Sequence, residues 1–66
     1  MKNKLEILII NHGYNQSMMA EKLGIDRKAF WYQLKNYHNR HITFYQQIAK
    51  ILQMPTKKLL QELELI

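Results

Sequence analysis

The stretch that decides the fold runs from Asn15 to Asn36 and reads NQSMMAEKLGIDRKAFWYQLKN. Asn15 and Asp26 are each suited to cap a helix, because their short side chains accept a free backbone N–H of the first turn. The spacing predicts one helix over Gln16–Leu23 and another from about Arg27 to Asn36. Gly24 ends the first of them, since glycine adopts the left-handed conformation without steric cost. Two helices joined by a short glycine-containing turn make a helix-turn-helix.

Residue size and helical spacing divide this unit into a buried side and an exposed side. Ala20 is small enough for the two helices to cross closely, and Ile25 fills the space between them. At about 100° per residue, one narrow arc of the second helix collects Phe30, Leu34 and Tyr37. The other side carries Lys28, Trp31, Tyr32 and Lys35, with Arg27 at the edge of the first turn. That side is free to enter a DNA major groove about 12 Å wide.

Helical spacing continues on both sides of this unit, so the expected fold class is all-α with five helices. Leu5, Leu8 and Ile9 form the apolar face of a first helix, from about Asn3 to Asn11. Gly13 ends this helix. The spacing of glycine, proline and polar residues predicts short connections throughout.

The C-terminal half predicts a polar loop over residues 36–42 and then two helices. A capping box of Thr43 and Gln46 predicts the start of the fourth helix, which ends near Gln53. Its predicted inward residues are Phe44, Ile48, Ile51 and Leu52. Pro55 is favoured in a first helical turn and predicts a short fifth helix. The apolar face of that helix comprises Leu59, Leu60 and Leu63.

Composition indicates a small basic domain. The 66 residues carry a formal net charge of +5 and no cysteine, and we expect one domain over residues 1–66. Residues 27–41 contain four lysines or arginines and no acidic residue. Such a concentration of positive charge favours a polyanionic partner. The apolar run at residues 7–10 is too short for a membrane span or a signal peptide, so a cytoplasmic protein is expected, nucleoid-associated when bound to DNA.

Catalytic and metal chemistry have no support in the sequence. It offers no nucleophile–base pair, no glycine-rich phosphate loop and no paired carboxylates, so we expect neither an enzyme nor a cofactor. His38 and His41 are three residues apart, but two imidazoles without cysteine or a nearby carboxylate make a poor metal site. No metal is therefore expected.

The stretch from Gly13 to Asp26 resembles the signature of Cro/C1-type (XRE-like) helix-turn-helix regulators. That signature places Gly, an apolar residue, Ser/Thr and Gln ahead of Leu-Ala, then Leu-Gly, an aliphatic residue and Ser. Residues 48–52 and 54–60 resemble the family's fourth and fifth helices. The resemblance implies a compact five-helix, lambda-repressor-like DNA-binding domain that represses transcription as a dimer. The sequence departs from the pattern at Asn15, Met19, Asp26, Leu34 and the aromatic run Phe30-Trp31-Tyr32.

The resemblance also implies roles for residues at the start of both helices of the unit. Gln16 is expected to contact a backbone phosphate. Ser17 is expected to join it, because backbone N–H groups at a helix N-terminus bind phosphate. Arg27 and Lys28 open the recognition helix, where their side chains can reach guanine O6 and N7 or a phosphate. Tyr32 can pack on a thymine methyl group or bond to a base or phosphate.

The remaining candidates lie on the recognition helix and in the loop that follows it. Lys35, Asn39 and Arg40 are candidate phosphate contacts. Trp31 has three readings: it lies along the sugar–phosphate wall, anchors a protein interface, or folds against the loop as peripheral core.

The sequence suggests two classes of partner. In the favoured reading, the partner is double-stranded DNA, read by a homodimer on a near-palindromic operator with half-sites about 34 Å apart. The apolar tail of Leu63, Leu65 and Ile66 either folds back onto the first helix or forms the dimer contact, which we favour. In the alternative reading, the chain is a protein-binding module: an antirepressor, or an inhibitor of another regulator or of polymerase. The exposed Trp31-Tyr32 pair motivates this alternative, because aromatic residues are enriched at protein interfaces.

Overall fold

The computed structural model describes residues 2–66, and this part of the chain forms five α-helices and no strand. The elements are α1 (Lys4–Asn11), α2 (Gln16–Leu23), α3 (Arg27–Lys35), a 3-10 turn (Tyr37–Asn39), α4 (Ile42–Leu52) and α5 (Thr56–Glu62). They enclose one core within 28 × 23 × 21 Å. The predicted all-α, five-helix fold class is confirmed.

The caps of the central unit form as its sequence predicts. The Asn15 side chain accepts the Met18 N–H at 2.9 Å, and the Asp26 side chain accepts the Lys28 N–H at 3.0 Å. Gly24 ends α2 with φ +70°, and a Cβ there would meet nothing within 4 Å. The need for glycine at this turn is therefore conformational and not a matter of space.

The predicted start of the fourth helix is wrong by two residues, because the residue that caps the helix is His41 and not Thr43. α4 begins at Ile42, with His41 as its cap. The His41 Nδ1 accepts the Thr43 N–H at 3.2 Å, so Thr43 already lies inside the helix and cannot form the predicted capping box. The loop over residues 36–42 is also more ordered than predicted, because Tyr37–Asn39 forms a 3-10 turn.

The core contains most of the residues that the helical spacing marked. Phe30, Leu34 and Tyr37 are buried as predicted. Ile51 and Leu60 are only partly buried and pack against the edge of the core. Tyr45, which was not predicted to face inward, is buried on α4.

The apolar tail folds back onto its own chain. Leu63 is 2% exposed and belongs to the core, and Leu65 packs against it. An ion pair between Lys4 and Glu64 ties the end of the tail to the start of α1. The predicted dimer contact therefore cannot include the Leu63 side chain, because burial in the monomer has already removed it from water. Ile66 remains 69% exposed.

The two helices of the central unit, α2 and α3, pack against each other and against the rest of the core. α2 packs against both α3 and α4, and α4 packs against α5. Ala20 is 3% exposed within α2, and Phe30 is fully buried in α3. The exposed side of α3 is thus held by a core to which all five helices contribute.

Candidate nucleic-acid interface

The outward side of α3 has the size and composition of a helix that enters the major groove. With side chains an α-helix is about 10–12 Å across, which matches the groove width of about 12 Å. Its exposed residues are Arg27, Lys28, Ala29, Trp31, Tyr32 and Lys35. The buried Phe30 and Leu34 fix which side faces outward.

The start of α3 and the start of α2 meet at one shallow depression. This depression is lined by Gln16, Asp26, Arg27, Lys28 and Trp31. Four predicted contact residues from two helices therefore share a surface. The N-terminus of α2 adds backbone N–H groups and a positive dipole end, which together favour a phosphate.

A neighbouring groove of about 420 Å³ adds a residue that the sequence did not single out. Its lining includes Gln16, Ser17 and Arg27, together with Lys2 from the segment before α1. Lys2 is exposed. Its position next to the central unit depends on how α1 packs, so no local spacing could have predicted it.

The two aromatic residues of α3 lie on the surface in contact with each other. Trp31 is 41% exposed and Tyr32 is 54% exposed, and their rings meet edge to face with centroids 5.2 Å apart. Peripheral core is therefore excluded for Trp31 as its main role. The pair offers flat apolar surface beside basic side chains, which suits a sugar–phosphate wall or a protein partner.

Lys35 is already engaged within the protein. Its Nζ donates to Glu6 Oε1 at 3.0 Å and lies 5.5 Å from the centre of the Trp31 ring. The Glu6 side chain is 8% exposed. Burial raises the pKa of Glu6, but its hydrogen bond from the Asn3 backbone and the charges of Lys35 and Lys2 outweigh this effect. The pKa of Glu6 consequently lies below its ordinary value.

The segment after α3 forms a second group of candidate contacts. Asn39 and Arg40 line a depression together with Gln33 of α3, so this segment lies beside the recognition helix. The Tyr45 hydroxyl fixes the backbone here, because it donates to the Tyr37 carbonyl and accepts the Arg40 N–H at 3.2 Å. The Arg40 guanidinium lies 5.6 Å from the centre of the Phe44 ring.

Two further residues of α3 belong to this surface and were missed. Ala29 is exposed on the outward side, and Gln33 is half-buried at its edge. An alanine methyl group can contact a thymine methyl group, and a glutamine amide can bond adenine N6 and N7. The 100° spacing places Ala29 on the outward side and Gln33 at its edge, but neither residue carries the charge or the aromatic ring that marks the other candidates.

The histidines have structural contacts. His38 stacks on Tyr37 with ring centroids 4.1 Å apart, and His41 caps α4. His12 caps the end of α1. No group of three or more potential metal ligands occurs within residues 2–66. No helix in that part of the chain is long and apolar enough to cross a membrane.

Comparisons with known proteins agree with this geometry. The model of a family described as bacterial regulatory proteins of the Fis family matches residues 4–37, which covers α1, α2, α3 and the start of the 3-10 turn. No curated protein and no solved structure matches the chain significantly. The matched region contains the whole helix-turn-helix and just over half of the 66 residues. The chain therefore belongs to the Fis family of bacterial regulatory proteins and is a DNA-binding helix-turn-helix transcriptional regulator.

Proposed function

We propose that this regulator is a Cro-like repressor of a phage or mobile element, which binds a near-palindromic operator as a homodimer. The observation that carries the proposal is the convergence of Gln16, Arg27, Lys28 and Trp31 on one surface at the start of α3. Phosphate contacts from the start of α2 set the position of the protein, while α3 reads base edges in the groove. The protein acts in the cytoplasm, on the nucleoid.

The division of roles follows from exposure and charge. Arg27 and Lys28 are exposed at the N-terminal end of α3, where a recognition helix makes its base contacts. Gln16 and Ser17 lie at the start of α2 and bind phosphates of the DNA backbone. Arg40 and Asn39 add phosphate contacts from the segment after α3, and the exposed Tyr32 ring packs on a thymine methyl group or bonds to a base or phosphate.

The five-helix arrangement supports a Cro/C1-type mode of action. The Fis-family match ends at Tyr37, whereas α4 and α5 lie beyond it. The sequence of those two helices carries the rest of the resemblance to Cro/C1-type regulators. Repression then depends on the concentration of the protein and on its dimerisation at two half-sites.

A second candidate function rests on the same surface. Trp31 and Tyr32 expose 41% and 54% of their area, and tryptophan and tyrosine are enriched at the centres of protein interfaces. In this alternative the chain is an antirepressor or an inhibitor of another regulator or polymerase. Salt distinguishes the two functions, because DNA binding releases counterions and an aromatic-centred protein contact does not.

The deciding experiment is selection from a random pool of DNA duplexes by the purified protein, at about 50 mM and about 200 mM salt. A repressor enriches a near-palindromic site, and binding weakens steeply between the two salt concentrations. A folded protein that enriches no sequence at either concentration contradicts the proposal and favours the protein-binding module. A scrambled version of the enriched site is the matched control.

A further inference from the structure

The end of the recognition helix is joined to α1 by two polar contacts. The Lys35 ammonium donates to Glu6 Oε1 at 3.0 Å, and the Asn3 side-chain amide donates to the Leu34 carbonyl at 3.0 Å. Asn3 and Glu6 also cap α1 reciprocally, since the Asn3 N–H donates to Glu6 Oε1 at 3.1 Å and the Glu6 N–H donates to Asn3 Oδ1 at 2.9 Å. One carboxylate oxygen thus serves the cap of α1 and the last turn of α3.

The Lys35–Glu6 ion pair is more buried than Lys4–Glu64, the other ion pair in the described part of the chain. The Glu6 side chain is 8% exposed, whereas both partners of the Lys4–Glu64 pair are more than half exposed. A buried carboxylate is costly without a cation, so the pair holds Lys35 more firmly than a surface contact would. The same ammonium lies 5.5 Å from the centre of the Trp31 ring, within reach of a cation–π contact.

Lys28 lies on the same helix as Lys35 and provides a comparison for its ion pairing. It is exposed one turn before Trp31 and Tyr32, and no ion pair found within residues 2–66 includes it. Lys28 and Lys35 therefore have the same charge and share one side of α3, yet only Lys35 has a carboxylate partner.

We propose that Glu6 withholds Lys35 from the DNA backbone and uses it to orient Trp31, so that α1 sets the contacts of the recognition helix. Glu6 and Lys35 are then positioning residues, and Trp31 is the residue that they present to DNA. The proposal rests on the proposed DNA-binding function. It replaces the expectation that Lys35 contacts a phosphate.

The first experiment measures DNA affinity against salt for the wild-type protein and for variants in full-length form. Each phosphate contact adds about 0.9 to the slope of log K against log salt. Glu6→Gln keeps the side-chain volume and an oxygen for the Asn3 N–H, but it releases Lys35. We expect a slope steeper by about 0.9, and the double variant Glu6→Gln/Lys35→Met returns to the wild-type slope. Lys57→Met on α5, the matched control, leaves the slope at the wild-type value.

The opposite pattern overturns the proposal. If Lys35 contacts a phosphate in the wild-type complex, Glu6→Gln leaves the slope unchanged and Lys35→Met flattens it by about 0.9. Circular dichroism and urea unfolding check the fold of each variant. If Glu6→Gln does not fold, Lys35→Met decides alone: a flatter slope contradicts the proposal, and the wild-type slope supports it.

A second readout needs no DNA, because Trp31 is the only tryptophan of the chain. Its fluorescence reports on the ammonium beside its ring. We expect Lys35→Met and Glu6→Gln each to change the emission of Trp31 in the free protein, while Lys57→Met on α5 does not. Unchanged emission in both variants overturns the positioning role. A wild-type protein without salt-dependent DNA binding contradicts the proposed function, and the fluorescence result then decides this inference separately.

Discussion

At the residue scale, the interface contains both exposed cations and a cation that is paired with a carboxylate of the protein itself. Arg27 and Lys28 are exposed at the start of α3 and available to a ligand. Lys35, at the other end of the helix, is bound to Glu6 at 3.0 Å. Equal charge on one helix thus does not mean equal function, because a buried carboxylate commits one of these cations to the fold.

Replacement of the two free cations by alanine should weaken operator binding. If Arg27 and Lys28 contact base edges, Arg27→Ala and Lys28→Ala each cost about 1–3 kcal/mol of specific binding. Fluorescence anisotropy with the selected operator measures this cost. Lys57→Ala is the matched control, because Lys57 is exposed on α5, which packs against α4. Wild-type affinity in both variants would show that DNA approaches another surface.

The buried carboxylate predicts a dependence of stability on pH. Because folding lowers the pKa of Glu6, its ionised form stabilises the folded state. This contribution is complete above the ordinary pKa of 4.5 and is lost as the pH falls through the lower pKa of the folded protein. We therefore expect Glu6→Gln to be less stable than the wild type at pH 7, with a difference that shrinks below about pH 4.5. Urea unfolding from pH 7 to pH 3 tests this, and a constant difference is the contrary result.

At the element scale, most helix ends are set by local chemistry, but α4 and α5 are each followed by a left-handed residue other than glycine, Gln53 and Glu64. Asn3, Asn15 and Asp26 cap α1, α2 and α3 with side-chain oxygens. Gly24 provides the left-handed residue that ends α2. α4 ends differently, because its left-handed residue is Gln53, with φ 58°. A residue with a Cβ is unfavourable in this conformation.

Glycine at the end of α4 should therefore stabilise the protein. Gln53→Gly removes the cost of a left-handed Cβ, which is partly offset by the greater entropy of glycine in the unfolded chain. We expect the free energy of unfolding to rise by about 0.5–1 kcal/mol. In a domain of this size, each kcal/mol raises Tm by about 4–8 °C. Thermal unfolding by circular dichroism measures it. Gln47→Gly, at an exposed position inside α4, should instead lose about 1 kcal/mol; a loss at both positions would show that Gln53 is not strained.

At the scale of the whole molecule, the fold leaves apolar side chains exposed outside α3. Ile7 and Ile10 are each 47% exposed on α1, and Ile66 is 69% exposed at the end of the tail. Leu63 and Leu65 pack against the chain's own core. If the tail contributes to the proposed dimer, Ile66 is the residue that remains available for it.

Replacement of Ile66 by serine tests dimerisation independently of folding. Ile66→Ser should leave the stability of the monomer within about 0.5 kcal/mol of the wild type, because exposed positions contribute little to folding. It should shift the sedimentation profile from dimer to monomer. Leu63→Ala is the contrasting variant: it should cost about 2–5 kcal/mol of folding free energy, because it removes a buried leucine side chain. A dimer that persists in Ile66→Ser would exclude the tail from the interface.

The sequence by itself determined the features that depend on neighbours a few residues apart. The limits of α2 and α3, their caps and the turn at Gly24 follow from side chains and backbone groups within one helical turn of each other. The same periodicity predicts the exposed positions of Lys28, Trp31 and Tyr32. Local chemistry also explains the one wrong cap, since His41 competed with Thr43 for the same helix start and its ring nitrogen reached the Thr43 N–H.

Only the tertiary structure decided how distant side chains combine. Lys35 and Glu6 are 29 positions apart, and Lys4 and Glu64 are 60 apart. Tyr45 secures the turn at Tyr37 across the gap between two helices, and Lys2 reaches the groove beside Arg27. Burial converts Lys35 from a solvated cation into the partner of a carboxylate, and burial depends on helix packing rather than on spacing along one helix. Periodicity therefore identified the face of the recognition helix, whereas packing decided which of its charges stay free for DNA.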